Sequence, residues 1–242
     1  MELNILHLYP DSMSLYGEWA NLAILCRHLE ALDVAVTVEK VTGEDTPDFT
    51  RADMIYMGAG TEGAQKAALL DLARHAGELK AAVDRGALLL FTGSAMETLG
   101  ASVTDAAGKV WQGLALADFT TVETDKRSPG DVIAASTLWE APAVGFMNKC
   151  SLTHGVTTPL FSSLSLGFGN EVDRGPEGYA DGGILATHLT GPVLVKNPDF
   201  TDLVIRRLFF AKSWPLPEKL PVLPHEREAY AVTLRELQAR LK

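Results

Sequence analysis

A chain of 242 residues with 47% apolar content is long enough for one large α/β domain, or for one domain with additions. Its 31 acidic residues against 21 basic ones leave a net charge of −10, which excludes the clustered Lys and Arg of a nucleic-acid footprint and adsorption to an anionic membrane. Only two cysteines, Cys26 and Cys150, no basic-plus-apolar leader and no run near ~20 apolar residues together lead to the expectation of a reduced, cytoplasmic protein.

Residues 3–8 predict a first strand and 9–12 a turn. Over 21–32, Leu22, Leu25, Cys26, Leu29 and Leu32 recur at helical spacing. Residues 34–38 and 54–57 predict two more strands, the latter ending at Gly58-Ala59-Gly60. A long Ala/Leu-rich helix is expected over 64–85, with Gly77 its weak point. Then Ala87 to Phe91 form a buried strand, Gly93-Ser94-Ala95 a small-residue cluster, and 96–99 a helical turn that stops at Gly100. Strand, sharp turn, helix is the plan of a nucleophile elbow, which holds one side chain at its crest and aims backbone N–H groups at a reacting oxygen. The alternation so far predicts a parallel sheet with right-handed crossovers. Ligands then belong at the carboxyl ends of the strands, over 9–21, 58–65 and 92–97.

Beyond Gly100 the periodicity shortens. Residues 102–104 and 109–111 predict a hairpin, and 117–122, 132–135, 144–147 and 157–160 further short strands. Residues 125–130 read as a polar loop and 167–183 as an exposed one. A strand over 183–187, a helix over 199–211, a proline-punctuated linker over 215–224 and a last helix over 225–242 complete the chain. That helix carries Tyr230, Leu234, Leu237 and Leu241 on one face. The expected division is a domain over 1–212 and a linker with helix over 213–242.

Several stretches, in order over residues 3–203, resemble the CobB/CobQ-type class I glutamine amidotransferases, and most of all the GatD-like glutaminase subunits of lipid II isoglutaminyl synthase. They are Leu8-Tyr-Pro-Asp11 with Leu15-Tyr-Gly-Glu-Trp-Ala-Asn21, Met57-Gly-Ala-Gly-Thr-Glu-Gly-Ala-Gln65, Gly113-Leu-Ala-Leu-Ala-Asp118, Gly145-Phe-Met-Asn148, and the segment from Thr187 through Gly191-Pro192 to Pro198. The resemblance implies a three-layer α/β sandwich, a mostly parallel sheet flanked by helices, of the flavodoxin-like class I amidotransferase type. It implies no metal and no cofactor. It also implies an oxyanion or ligand loop at Gly58, Ala59 and Gly60, with Gln65 and Ser94 beside it, and as partner a Mur-ligase-like ATP-dependent synthetase acting on a cell-wall precursor or related acid.

The family attacks glutamine with an elbow cysteine and moves protons with a histidine before Gly-Pro. Anchored on Leu99-Gly100, the cysteine position is Gly93, and the histidine position is Thr190. The family's Gly-Phe-Glu-Asn-His reads Gly145-Phe-Met-Asn-Lys149 here. Glycine offers no nucleophile, and a threonine hydroxyl does not titrate near pH 7. Binding of glutamine or another small ligand without turnover is therefore one reading. The other is an active hydrolase with a relocated dyad, Ser94 with His188 as its base, since residues 188 and 190 face the same way if the strand continues. Cys150 and His154, four apart, could meet on a helical turn. Glu97 is expected in the first turn of the elbow helix. Asp11, Glu18 and Asn21 line the pocket or a partner interface, or cap the next helix, as Asn21 is expected to do. Tyr16, Trp19 and Trp139 are interface anchors or core.

Overall fold

The structure, a computed structural model, describes residues 1–241. In chain order, β1 (Glu2–Leu8), α1 (Trp19–Glu30), β2 (Ala35–Val41), β3 (Met54–Met57), α2 (Glu62–Leu72), α3 (Ala76–Asp84) and β4 (Leu88–Thr92) alternate as the apolar pattern predicts. With β10 (Tyr179–Asp181) and β11 (Ile184–Thr187) the strands form a sheet of order β10-β11-β4-β3-β1-β2, parallel throughout except for β10 against β11. Successive side chains leave opposite faces of a strand. Leu3, Ile5, Tyr56, Leu88 and Leu90 thus pack on one side with α1 and α5 (Pro198–Ala211), while Leu6, Leu8, Ile55, Leu89 and Phe91 pack on the other with α2 and α3. Burial on both faces is why these strands read as apolar runs. The expected helix over 64–85 is two helices. The break is a 3₁₀ turn at Ala73–His75, just before Gly77, where His75 leaves helical geometry (φ −113°, ψ 11°).

A second, mostly antiparallel sheet stands beyond the carboxyl ends of the first. It contains β5 (Ser102–Thr104), β6 (Val110–Gln112), β7 (Thr120–Ala135), β8 (Ala143–His154), β9 (Ser163–Leu166) and β12 (Leu189–Thr190), in the order β12-β8-β7-β5-β6, with β9 on β7. The strands expected at 117–122 and 132–135 are two ends of one 16-residue strand, and the polar stretch 125–130 lies inside it. The register slips between Glu123 and Ser128, so the irregularity holds Thr124 to Arg127, and Pro129 and Gly130 resume the pairing opposite Asn148 and Met147. Cys150 to His154 lie on β8, not on a helical turn. Residues 157–160 form no strand.

The strand over 183–187 does not run on. It stops at Thr187, and after His188 the chain joins the second sheet, Leu189 opposite Met147 and Thr190 opposite Phe146. The short α4 (Val193–Lys196) and α5 follow. The last helix, α6 (Glu226–Ala239), docks on its own chain. Leu237 packs with Ile133 and Val144, Tyr230 donates its hydroxyl to the Pro142 carbonyl at 2.7 Å, and His28 Nε2 meets Glu226 Oε1 at 3.0 Å.

Candidate functional site

The elbow forms where β4 leaves the sheet. Gly93 has φ +59°, the left-handed conformation that glycine tolerates, and opens a 3₁₀ turn, Gly93–Leu99, where an α-helix was expected. The loop after β3 crosses directly over it. A Cβ built on Gly93 would stand 2.5 Å from Cβ of Ala59 and 3.1 Å from its Cα. Position 93 therefore lacks a side chain and also lacks room for one.

Ser94 is turned into that same loop. Its Oγ accepts from the Gly60 N–H and donates to the Gly60 carbonyl, both at 3.0 Å. The Gly60 amide, expected to face an oxyanion, is thereby used within the protein. Gln65 braces the turn, with Nε2 donating to the Ser94 carbonyl at 2.7 Å and to Glu97 Oε2 at 2.6 Å. Among the described residues its buried Oε1 has no hydrogen-bond partner. Glu97 is buried and also accepts from Ser151 Oγ at 2.5 Å.

His188 is buried, and its partners set its tautomer. Glu177 Oε1 accepts from the His188 backbone N–H at 2.7 Å and lies 3.0 Å from Nδ1. A carboxylate only accepts, so Nδ1–H is the donor to Glu177. Nε2 lies 3.3 Å from Thr153 Oγ1, which in turn meets Thr121 Oγ1 at 3.1 Å. Glu97 Oε1 lies 3.8 Å from Nε2. Ser94 and His188 border the same cavity, yet among the described residues no hydrogen bond joins them.

Thr190 is tied to a buried carboxylate instead. Glu18 is fully buried, and its Oε1 accepts from Thr190 Oγ1 at 2.5 Å and from the Gly191 N–H at 2.7 Å. Its Oε2 accepts from Tyr56 OH at 2.8 Å, from Asn21 Nδ2 at 3.2 Å and from Thr92 Oγ1. Burial and the Glu18 charge hold the Tyr56 hydroxyl well above its ordinary pKa. Gly58 passes so close that a Cβ there would meet Glu18 Cβ at 2.8 Å. Glu18 thus fastens the ends of β3, β4 and β12 together. Asn21 lies inside α1 and does not cap it; its Oδ1 accepts from the Leu194 N–H, in α4, at 2.8 Å.

A cavity of about 300 Å³ opens between the two sheets. Ala59, Gly60, Gly93 and Ser94 border it on one side, Glu97, Ser151, His188 and Thr190 on its polar flank, and Tyr16, Glu62, Arg127 and Cys150 elsewhere on its wall. Gly58 and Gln65 stand behind this lining. Lys149 also borders it. Its Nζ donates to the carbonyls of Gly169 and Asn170 at 2.7 and 2.9 Å, and burial lowers its pKa. Cys150 Sγ donates to Glu62 Oε1 at 3.1 Å, while Arg127 binds both residues. Burial, and then the Glu62 hydrogen bond and charge, push the Cys150 thiol up to about 12. His154 is four residues along the same extended strand, about 13 Å away, and pairs with Glu171 at 3.1 Å. The dyad that a helical turn would have allowed does not form.

Asp11 lies exposed in the turn after β1, and Trp19 is exposed. Trp139 is half-buried and packs against the core, stacked on Phe200 at 5.0 Å. Glu177 and Ser151 escaped the sequence reading. For Ser151 a signal existed: Lys149, Ser151 and Thr153 alternate with period two, which places all three on the inward face of β8.

Comparison with known proteins agrees with this fold. The model of the CobB/CobQ-like glutamine amidotransferase domain matches residues 4–198. The chain is 27% identical over 218 residues to subunit GatD of the glutamine-hydrolyzing lipid II isoglutaminyl synthase of Staphylococcus aureus, covering 90% of this chain and 89% of that one. It is also 27% identical over 199 residues to the subunit of the same name from Streptococcus pneumoniae, covering 81% and 76%. A solved structure described as a glutamine amidotransferase superposes with a TM-score of 0.53 at 10% identity, over 86% of this chain and 98% of that one, a likeness of fold.

Proposed function

The chain belongs to the CobB/CobQ-like glutamine amidotransferase family, and from that premise we propose that it is a noncatalytic member, a GatD-like subunit that serves an amide-forming synthetase without hydrolysing glutamine itself. One observation carries this reading: the elbow position is a glycine pressed against Ala59, with no space for a nucleophile. Thr190, at the position of the family's proton carrier, has its hydroxyl committed to Glu18. Loss of both members of such a pair removes about 10⁶-fold of rate in comparable enzymes. The partner in this reading is a cytoplasmic Mur-ligase-like, ATP-dependent synthetase that amidates a cell-wall precursor or related acid; that the relatives are named as subunits of a lipid II isoglutaminyl synthase supports the existence of a partner subunit. Among the described residues no helix is long and apolar enough to cross a membrane. The cavity, with carboxylates and cations in its wall, suits glutamine or another small polar ligand held without turnover.

The test is ammonia release from glutamine, by the chain alone and with a Mur-ligase-like synthetase. The expected result is none in either case, with amidation supported by ammonium salt. Turnover that disappears in Ser94→Ala would overturn this reading and establish the relocated Ser94–His188 dyad.

A further inference from the structure

Among the described residues, the large apolar side chain with the greatest fractional exposure does not border the cavity. Phe210, near the carboxyl end of α5, is 81% exposed. It forms one wall of an open hollow of about 540 Å³ with Leu88, Gly183 and Leu216, and Arg206 and Arg207 stand on its rim. The hollow exists because Gly86, Gly182 and Gly183 cover the start of β4 and β11 with bare backbone. These are the amino-terminal ends of the strands whose carboxyl ends carry the cavity, so an occupant would leave the cavity open.

The charge around it runs against the rest of the molecule. An adjoining hollow shares Gly86 and Ala211 and brings in Arg51, Arg85 and Lys212. Lys212 is paired with Asp53 at 2.8 Å. Among the described residues, Arg51, Arg85, Arg206 and Arg207 take part in no ion pair. Arg207 donates to the Gly182 carbonyl at 2.9 Å, and Arg85 to that of Phe49 at 3.0 Å. Asp48 faces Arg51 and Arg85, and Asp202 faces Arg206, yet the apolar pocket itself is lined by two arginines and no carboxylate, in a chain of net charge −10. A large apolar side chain beside a pocket, with a charged rim, is the anatomy of a protein-docking anchor.

We infer that this hollow receives the synthetase subunit, through an acidic segment of that subunit that inserts an apolar side chain beside Phe210. The inference rests on the proposed function for the existence of that subunit, and on charge complementarity for its chemistry.

The experiment co-expresses the full chain with a Mur-ligase-like synthetase subunit and measures affinity by titration at two salt concentrations, with light scattering for mass. Wild type is expected to form a complex that weakens as salt rises. Phe210→Asp should weaken it about 30-fold or more, and Arg206→Glu should weaken it while flattening the salt dependence. Both positions are on the surface, and an unchanged melting temperature verifies folding. If wild type forms the complex and both variants bind as tightly, this inference fails and the proposed function stands. If wild type forms no complex, both fail. If Phe210→Asp instead dissolves a homodimer of the chain, the occupant is a second copy and the inference is overturned.

Discussion

Ala59 and Gly93, 34 positions apart in the chain, share one space: the methyl of the first occupies the ground on which a Cβ of the second would stand, 2.5 Å away. Neither residue can be changed without reference to the other.

Gly93→Cys is therefore expected to lower stability by about 1–3 kcal/mol, the usual range for overpacking, with a left-handed non-glycine residue adding to it. Adding Ala59→Gly removes the methyl and should recover part of the loss, so that the two changes are not additive. Urea midpoints of the two single variants and the double variant check this. Additive effects would show that the two residues do not compete.

Glu18 accepts five hydrogen bonds in a dry interior. Glu18→Ala leaves those donors unmet and should cost about 3–5 kcal/mol, whereas Thr190→Val, which removes one donor, should cost about 1–2 kcal/mol. Chemical denaturation compares them. A loss below 0.5 kcal/mol for Glu18→Ala, within the usual surface range of about 0.5 kcal/mol, would contradict the role given to this carboxylate.

The Cys150 thiol, moved from an ordinary 9.0 up to about 12, has about 10³-fold less thiolate at pH 8 than a free cysteine. Alkylation by iodoacetamide, followed at the Cys150 peptide by mass spectrometry, should be slow in proportion. Glu62→Gln removes a carboxylate that disfavours the thiolate and should speed it up. Rapid labelling of the wild-type protein would refute this assignment.

His7 is buried beside Tyr56 at 5.3 Å between ring centres, and burial first, then Lys40, bring its pKa from 6.5 down to about 4, against a smaller opposing effect of Asp11. Between pH 6.5 and 4 the unfolded chain binds a proton at this residue that the folded one does not. Stability contributed by the neutral ring is whole above pH 6.5 and falls as the pH drops through that window. His7→Gln should flatten the dependence of the unfolding midpoint on pH there. Equal slopes for the two proteins would count against it.

The first half of the fold was legible because its strands are buried on both faces and its helices carry plain periodicity; β4 with its small-residue turn could be placed from residues 86–100 alone. The long hairpin of β7 and β8 was not. Residues 125–130 carry charges, a proline and a glycine, and nothing local says that a strand with a bulge runs through them. The same error put Cys150 and His154 at helical spacing. At the site, Gly93 and Thr190 were legible as residue types. What surrounds them was not, because the partners of Thr190, Gly93 and His188 come from residues 172, 34 and 11 positions away. The distance of Glu177 from His188 is short in sequence, but its loop gave no periodic signal.

The passage of the chain at His188 from one sheet to the other has a consequence for how the molecule comes apart. Pulling Leu189 and Thr190 away from β8 tugs directly on Thr187 and β11, and through Glu18 on the ends of β3 and β4. The second sheet has no seam along which to melt by itself. Heating should give one calorimetric transition whose van't Hoff and calorimetric enthalpies agree.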